Sequence, residues 1–187
     1  MKDTLFSDYI RFYTSVLPDE FAIVPLCVRV DVNGMFRKKR SWLAHAFFDL
    51  PQKNEVCASC VAYYHNKVLL LYDATFRHHV FPQGHRKLGE RLRLTALREL
   101  YEESGFTDAT VLKNIGSYRY RYPKAQFMIR KQIYVYLVRL NSLKKQPKKF
   151  EEHERYRNVF VSKRGAVAKL RWRQDQTMLA RSLRFMK

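Results

Sequence analysis

Three glutamates, Glu99, Glu102 and Glu103, stand in the run RELYEESGF. On an α-helix, positions i, i+3 and i+4 share a face. The three carboxylates are therefore expected to crowd together, opposite an apolar stripe of Leu94, Leu97, Leu100 and Tyr101. Like charges in contact repel unless a cation sits among them. Oxygen donors with little sulfur or imidazole nearby suit Mg2+ or Mn2+ rather than zinc. Such a site has a definite chemistry. A cation held on oxygen ligands neutralises charge on an anionic substrate and lowers the pKa of a bound water. A neighbouring carboxylate, Glu102 or Glu103 or an acid on a facing loop such as Glu152, then takes the proton.

Other residues fit the same purpose. Arg98 lies four residues before Glu102, where a guanidinium can hold a carboxylate in one rotamer through a two-pronged hydrogen bond. Glu90 sits at the start of the helix, and Gly84, in the loop before it, lets backbone approach a ligand without a Cβ in the way. An isolated R-E-x-x-E-E run also occurs on solvated helices, where it means salt bridges only. The longer spacing decides. Gly84, Glu90, Arg98, Glu99, Leu100, Glu102, Glu103, Gly105 and Phe106 fill every fixed position of G-x5-E-x7-R-E-U-x-E-E-x-G-U, where U is bulky and apolar.

That pattern is the Nudix box, and the chain resembles a Nudix hydrolase. The resemblance implies an α+β fold, an α/β/α sandwich whose mixed sheet is flanked by helices. It also implies hydrolysis of a nucleoside diphosphate linked to another group. It makes Glu99, Glu102 and Glu103 metal ligands together with the Gly84 carbonyl, and Arg98 and Glu90 the supports that orient them. The likeness runs from about residue 56 to 185. Within the family the flanks resemble the asymmetric diadenosine tetraphosphate hydrolases, with their P-K-G-H entry and late E-H-x-x-Y-R-W segment. The counterparts here are Pro82, Gln83, Gly84 and His85, then Glu152, His153, Tyr156 and Arg157. Gln83 replaces a lysine of that subfamily and Asn158 a tryptophan.

The implied substrate contacts are His85, Gln83, Tyr156, Arg130 and Lys131. Tyr156 is a candidate for base stacking, whereas Tyr118, Tyr120 and Tyr122 read as alternating strand residues that pack. A dinucleoside polyphosphate is the first substrate expected. An RNA 5′ end (mRNA decapping) or a diphosphoinositol polyphosphate is the alternative, and a non-catalytic basic module that binds nucleotide or RNA is the last.

The elements that must position these groups follow from local pattern. VCASCVAYY and KVLLLYDA read as strands joined by a tight turn, and HVFPQGH as one short strand running into a loop. RLRLTALRELYEESGF reads as a helix stopped by Gly105. VLKNIGSYRYRYP, MIRKQIYVYLVRL and RNVFVS read as strands, and AVAKLRWRQDQTMLARSLRFM as a helical region. Residues 1–50, with a short amphipathic helix (Leu5, Tyr9, Phe12, Val16) and the basic cluster Arg37 to Arg40, are expected as an extension packed on a catalytic domain of residues 51–187.

Composition bounds the rest. The chain has 187 residues, with Lys plus Arg 36 against Asp plus Glu 17 and a net charge of +19. Such a field favours a polyanionic phosphate substrate, with RNA a further candidate partner. Cys57 and Cys60 form CASC without a second pair at zinc-ligand spacing. Residues three apart on a strand face opposite ways, so they are expected to pack in the core. No apolar run is long enough to span a bilayer and no secretory leader is evident. Cytoplasm or nucleus is expected, and a mature secreted protein acting inside a host cell would carry the same signals.

Overall fold

A computed structural model describes residues 50–147 and 156–186. The expected N-terminal helix, basic cluster and extension, together with Glu152 and His153, lie outside the described residues. Chain order is β1 (Gln52–Tyr64), β2 (Lys67–Asp73), β3 (His78–Val80), β4 (Gln83–His85), α1 (Leu92–Ser104), β5 (Ala109–Lys124), β6 (Phe127–Leu140), β7 (Tyr156–Ser162), α2 (Lys163–Lys169) and α3 (Arg173–Leu183). The strands form one mixed sheet, ordered β3-β2-β1-β6-β5, with β4 added to β1 and β7 to β2. β1 and β6 run parallel, and the other pairs are antiparallel.

The β1–β2 turn places His65 in the left-handed region (φ 48), as a tight hairpin requires. Only two register pairs join β1 to β2 at that turn. Beyond it the strands part, leaving the early edge of β1 to β4 and the edge of β2 to β7.

Alternation along β1 builds two cores. Cys57, Val61 and Tyr63 pack with Ile133, Val135, Leu137, Met178 and Leu179 on the α3 side. Ala58, Cys60 and Ala62 pack with Ala96, Leu100 and Phe106 on the α1 side. Both cysteines are fully buried, one in each core, as strand geometry predicts for residues three apart. Each fully buried leucine contributes roughly 1.5–3 kcal/mol, and Leu100 fixes α1 against the sheet in this way.

Three sequence expectations change. The loop that follows the short strand in HVFPQGH is itself a strand: β3 pairs with β2 and β4 with β1, separated at Phe81 and Pro82. Proline offers no N–H to a ladder and holds its predecessor away from α geometry, so pairing passes from one strand to the next at that point. The C-terminal helical region is two helices, broken at Leu170–Trp172, with Ser162 capping the first by accepting the Gly165 N–H. The buried side of α1 is only partly the leucine stripe: Leu100 enters the core and Leu97 packs against it. Leu94 is exposed, while Thr95, Ala96, Glu99, Leu100 and Glu103 are buried. The glutamates therefore do not all stand opposite the core; two of them enter the protein.

Candidate active site

α1 begins without a side-chain cap and ends at Gly105, whose φ of 85 gives the left-handed stop and whose N–H reaches the Tyr101 carbonyl. Arg98 stands at the centre of the site. Its Nε donates to Glu90 Oε1 (2.9 Å) and Nη2 to Glu90 Oε2 (3.1 Å), a two-pronged pair. Nη2 also donates to the His85 carbonyl (2.8 Å). Nη1 donates to Glu99 Oε1 (2.6 Å) and Glu102 Oε2 (2.7 Å). One planar fork thus ties the loop, the helix start and two of the three glutamates. Lysine, a point charge on a flexible stem, has no equivalent geometry.

Glu90 is held from further sides by the Lys87 N–H (3.1 Å) and the Thr95 hydroxyl (2.9 Å). The Arg98 hydrogen bonds, acting against burial and helped by these donors, lower its carboxyl to about 2. The same contacts raise the Arg98 guanidinium still higher above its ordinary range. Glu103, 3% exposed, turns inward and accepts the Gln83 N–H (3.0 Å). Gly84 answers to Glu99: a Cβ built on it would overlap the Glu99 carboxylate, so any other residue would displace that side chain.

Among the described residues no three acidic, histidine or cysteine side chains converge on one point. Arg98 Nη1 bridges Glu99 and Glu102, and Glu103 is drawn to β4. The donor chemistry nevertheless fits a hard divalent cation. Three carboxylates face a single guanidinium, with Lys87 Nζ 3.9 Å from Glu102. The glycine leaves room for backbone approach, and the available donors are oxygen.

The implied substrate residues fall into separate places. Gln83 and His85 lie on β4 beside the site. His85 Nε2 is 2.9 Å from Glu55 Oε2, and the Tyr122 hydroxyl donates to that same oxygen (3.4 Å). Burial raises the Glu55 carboxyl, but the hydrogen bond and charge of His85, with Lys131 and Lys124, outweigh it and leave the pKa lowered. Sequence reasoning missed Glu55. The available signal was its place two residues before Cys57, hence on the same strand face. Lys131 belongs to this group, whereas Arg130 points to the other side of the sheet, where Nη1 meets the Gln52 side chain (3.0 Å). Consecutive strand residues cannot serve one face. Tyr156 opens β7 opposite Asp73, in line with Asn158 and Phe160. Asn158, in place of the subfamily's tryptophan, donates through Nδ2 to the Ser104 carbonyl (2.7 Å) and so ties β7 to the end of α1.

The tyrosines of β5 pack as expected of alternating strand residues. Tyr118, Tyr120 and Tyr122 stack in sequence, with centroids 6.4 and 5.8 Å apart. The Tyr118 hydroxyl donates to buried Asp175 (2.9 Å).

Comparison with known proteins agrees with this architecture. A search of curated proteins finds no match. Similar solved structures include two of Ap4A hydrolase from C. elegans, one of them a binary complex. The complex is 21% identical, with a TM-score of 0.57, over 70% of this chain and 96% of that one. The second is 21% identical, with a TM-score of 0.55, over 72% and 100%. A NUDIX hydrolase from Nitrosomonas europaea is 18% identical, with a TM-score of 0.55, over 72% and 92%. The NUDIX domain family matches residues 53–181. With the box residues gathered around Arg98 on this fold, the chain belongs to the Nudix family and is a pyrophosphohydrolase.

Proposed function

We propose that the protein is a divalent-metal-dependent hydrolase of nucleoside polyphosphates, and that its first substrate is a dinucleoside polyphosphate such as diadenosine tetraphosphate. The observation that carries this is the Arg98 fork binding Glu90, Glu99 and Glu102 at once, beside a glycine that abuts Glu99. Nudix hydrolases generally use divalent metals. Glu99, Glu102, Glu103 and the Gly84 carbonyl would hold Mg2+ or Mn2+. The bound cation supplies charge neutralisation of the diphosphate and acidifies a water.

The side chains divide the remaining work. Glu102, at 27% exposed, is the most accessible of the three glutamates and accepts the proton of the attacking water. Glu103 anchors the Gln83 backbone and so fixes the β4 loop that carries Gly84. Arg98 and Glu90 hold the helix and loop in register, as positioning residues. His85, 60% exposed and oriented by Glu55, presents its ring to a phosphate at the open end of β4, with Lys131 on the same face. The late E-H-x-x-Y-R segment, which the chain shares with the diadenosine tetraphosphate subfamily, supports the choice of substrate.

The test is a parallel assay of diadenosine tetraphosphate, diphosphoinositol polyphosphate and capped RNA with Mg2+ and Mn2+. Turnover of the dinucleotide is expected to lead, and turnover of capped RNA alone would overturn the ranking. Glu102→Gln should lower kcat by at least about a hundredfold while substrate affinity is largely kept. An unchanged rate would remove Glu102 from catalysis.

A further inference from the structure

Strands β4, β5 and β6 all send side chains toward one carboxylate on β1. Glu55 shares a face with Cys57, two residues on, and is the register partner of Lys131 on β6. His85 of β4 is the register partner of Cys57, hence one step along the same face. Tyr122 reaches in from β5. The His85 Nε2 (2.9 Å) and the Tyr122 hydroxyl (3.4 Å) meet the same Glu55 oxygen, Oε2. Glu55 and Lys131 help to line an open cavity of about 620 Å3 at this end of the sheet.

The contact is a poor device for stability. The Glu55 side chain is 13% exposed but that of His85 is 60% exposed, and an ion pair with one partner mostly in water contributes little. Burial also works against a charged Glu55, so an apolar residue would serve the fold as well. What the contact does fix is the direction of a ring. A carboxylate only accepts, so Nε2 carries the proton between the two groups. Nδ1 is then left on the outer edge of the imidazole. The Tyr122 hydroxyl, on the same oxygen, restrains the carboxylate from behind.

The place of β4 says what that edge meets. Gly84 faces the Glu99 carboxylate, and the next residue, His85, turns its ring to the opposite face. Among the described residues β4 pairs with β1 alone, so its other edge is open. A phosphate chain anchored beside Gly84 crosses that open edge and arrives at the ring. We propose that Glu55 is a positioning residue for phosphate binding, which with Tyr122 behind it holds His85 so that Nδ1 meets a phosphate of the bound chain beside Lys131. The proposal rests on the polyphosphate reading of the same site and adds to it Glu55 and Tyr122, both outside the box.

Charge alone predicts the reverse of what positioning predicts. Deleting a carboxylate beside Lys131 and His85 makes the field more positive and should tighten an anion. The test measures binding of inorganic tripolyphosphate to the full chain by calorimetry with EDTA present, and thermal melting shows that each variant is folded. Glu55→Ala should weaken binding about tenfold, and His85→Ala about as much. The double variant should be no weaker than His85→Ala, because Glu55 acts through the ring. Glu55→Gln keeps an acceptor for Nε2 and should recover most of the affinity, and Tyr122→Phe should lose about twofold to threefold. Binding to Glu55→Ala as tight as to the unaltered chain, or tighter, overturns the proposal. Additive losses in the double variant overturn it too, as does an unaltered chain that does not bind tripolyphosphate. In turnover of diadenosine tetraphosphate, Glu55→Ala should raise KM about tenfold with kcat kept within about twofold. A fall in kcat with KM unchanged would put Glu55 in the chemistry and overturn the positioning role. Absence of dinucleotide turnover with the tripolyphosphate cycle intact supports the role of Glu55 and removes only the dinucleotide as substrate.

Discussion

Two arginine-rich regions on the same side of one sheet are built on opposite principles. At Arg98, one guanidinium meets three carboxylates and a carbonyl, and its donors are directed at protein. On β5 and β6, Arg121 and Arg130 are register partners across the ladder. The first arrangement is complete as a scaffold for its own side chains and holds a geometry. The second is set by backbone register, which brings like charges opposite each other. Both have the same residue type, so composition cannot tell them apart; what differs is which side chains the fold brings within reach.

The largest effect that would break this contrast is at Arg98. Arg98→Met leaves Glu90, Glu99 and Glu102 clustered without their cation, and the 18% exposure of the arginine gives water little share in the relief. A loss of about 3 kcal/mol is expected in denaturant unfolding, with kcat down about a hundredfold because the glutamates lose register. Full activity in this variant would show that the fork is not the organiser.

Gly84→Ala comes next. Its Cβ would meet the Glu99 carboxylate, so a cost of about 1–3 kcal/mol is expected, together with loss of hydrolysis. Retained turnover would mean that the loop yields freely and that close approach is not needed.

Smaller effects compare two carboxylates. Arg98 holds Glu90 at about 2, below its ordinary 4.5. Its contribution to stability is therefore complete above about 4.5 and is lost as pH falls towards 2. Asp175 is the reverse case. Burial pushes it up to about 6, against the opposing Tyr118 hydrogen bond and the charge of His78. Its contribution is complete below its ordinary 3.8 and is lost as pH rises through 6. Asp175→Asn keeps an acceptor for the Tyr118 hydroxyl and removes the charge. It should raise the melting temperature near pH ~8, by at most about 3 kcal/mol in stability, with no gain near pH ~4. A loss at the higher pH would show that the ionised form is favoured by the fold.

Much of the fold was legible because local periodicity is a local property. β1, β2, α1, β5, β6 and β7 follow from alternation and from the Gly105 stop, and the cysteine pair divides between two cores as strand geometry requires. The short strand before Pro82 was legible, but the Pro and Gly loop after it hid β4, because polar Gln83–His85 becomes a strand only through its pairing with β1. The leucine stripe of α1 misled for a related reason. Helical spacing tells which residues share a face but not which face the sheet will cover, and here the sheet took Thr95, Ala96, Glu99 and Glu103 and left Leu94 outside.

By itself the amino-acid sequence determined the reaction class, since nine fixed positions along one loop and helix are a contiguous pattern that needs no tertiary information. It also determined the strongly basic field, because charge is additive. Tertiary structure decided the rest. It placed Arg98 between Glu90, eight residues away, and Glu102, four away. It brought Glu55 to His85, thirty residues on, and it sent adjacent Arg130 and Lys131 to opposite faces of the sheet. These are consequences of strand pairing, which joins residues distant in the chain and parts neighbours, and no local pattern carries that information.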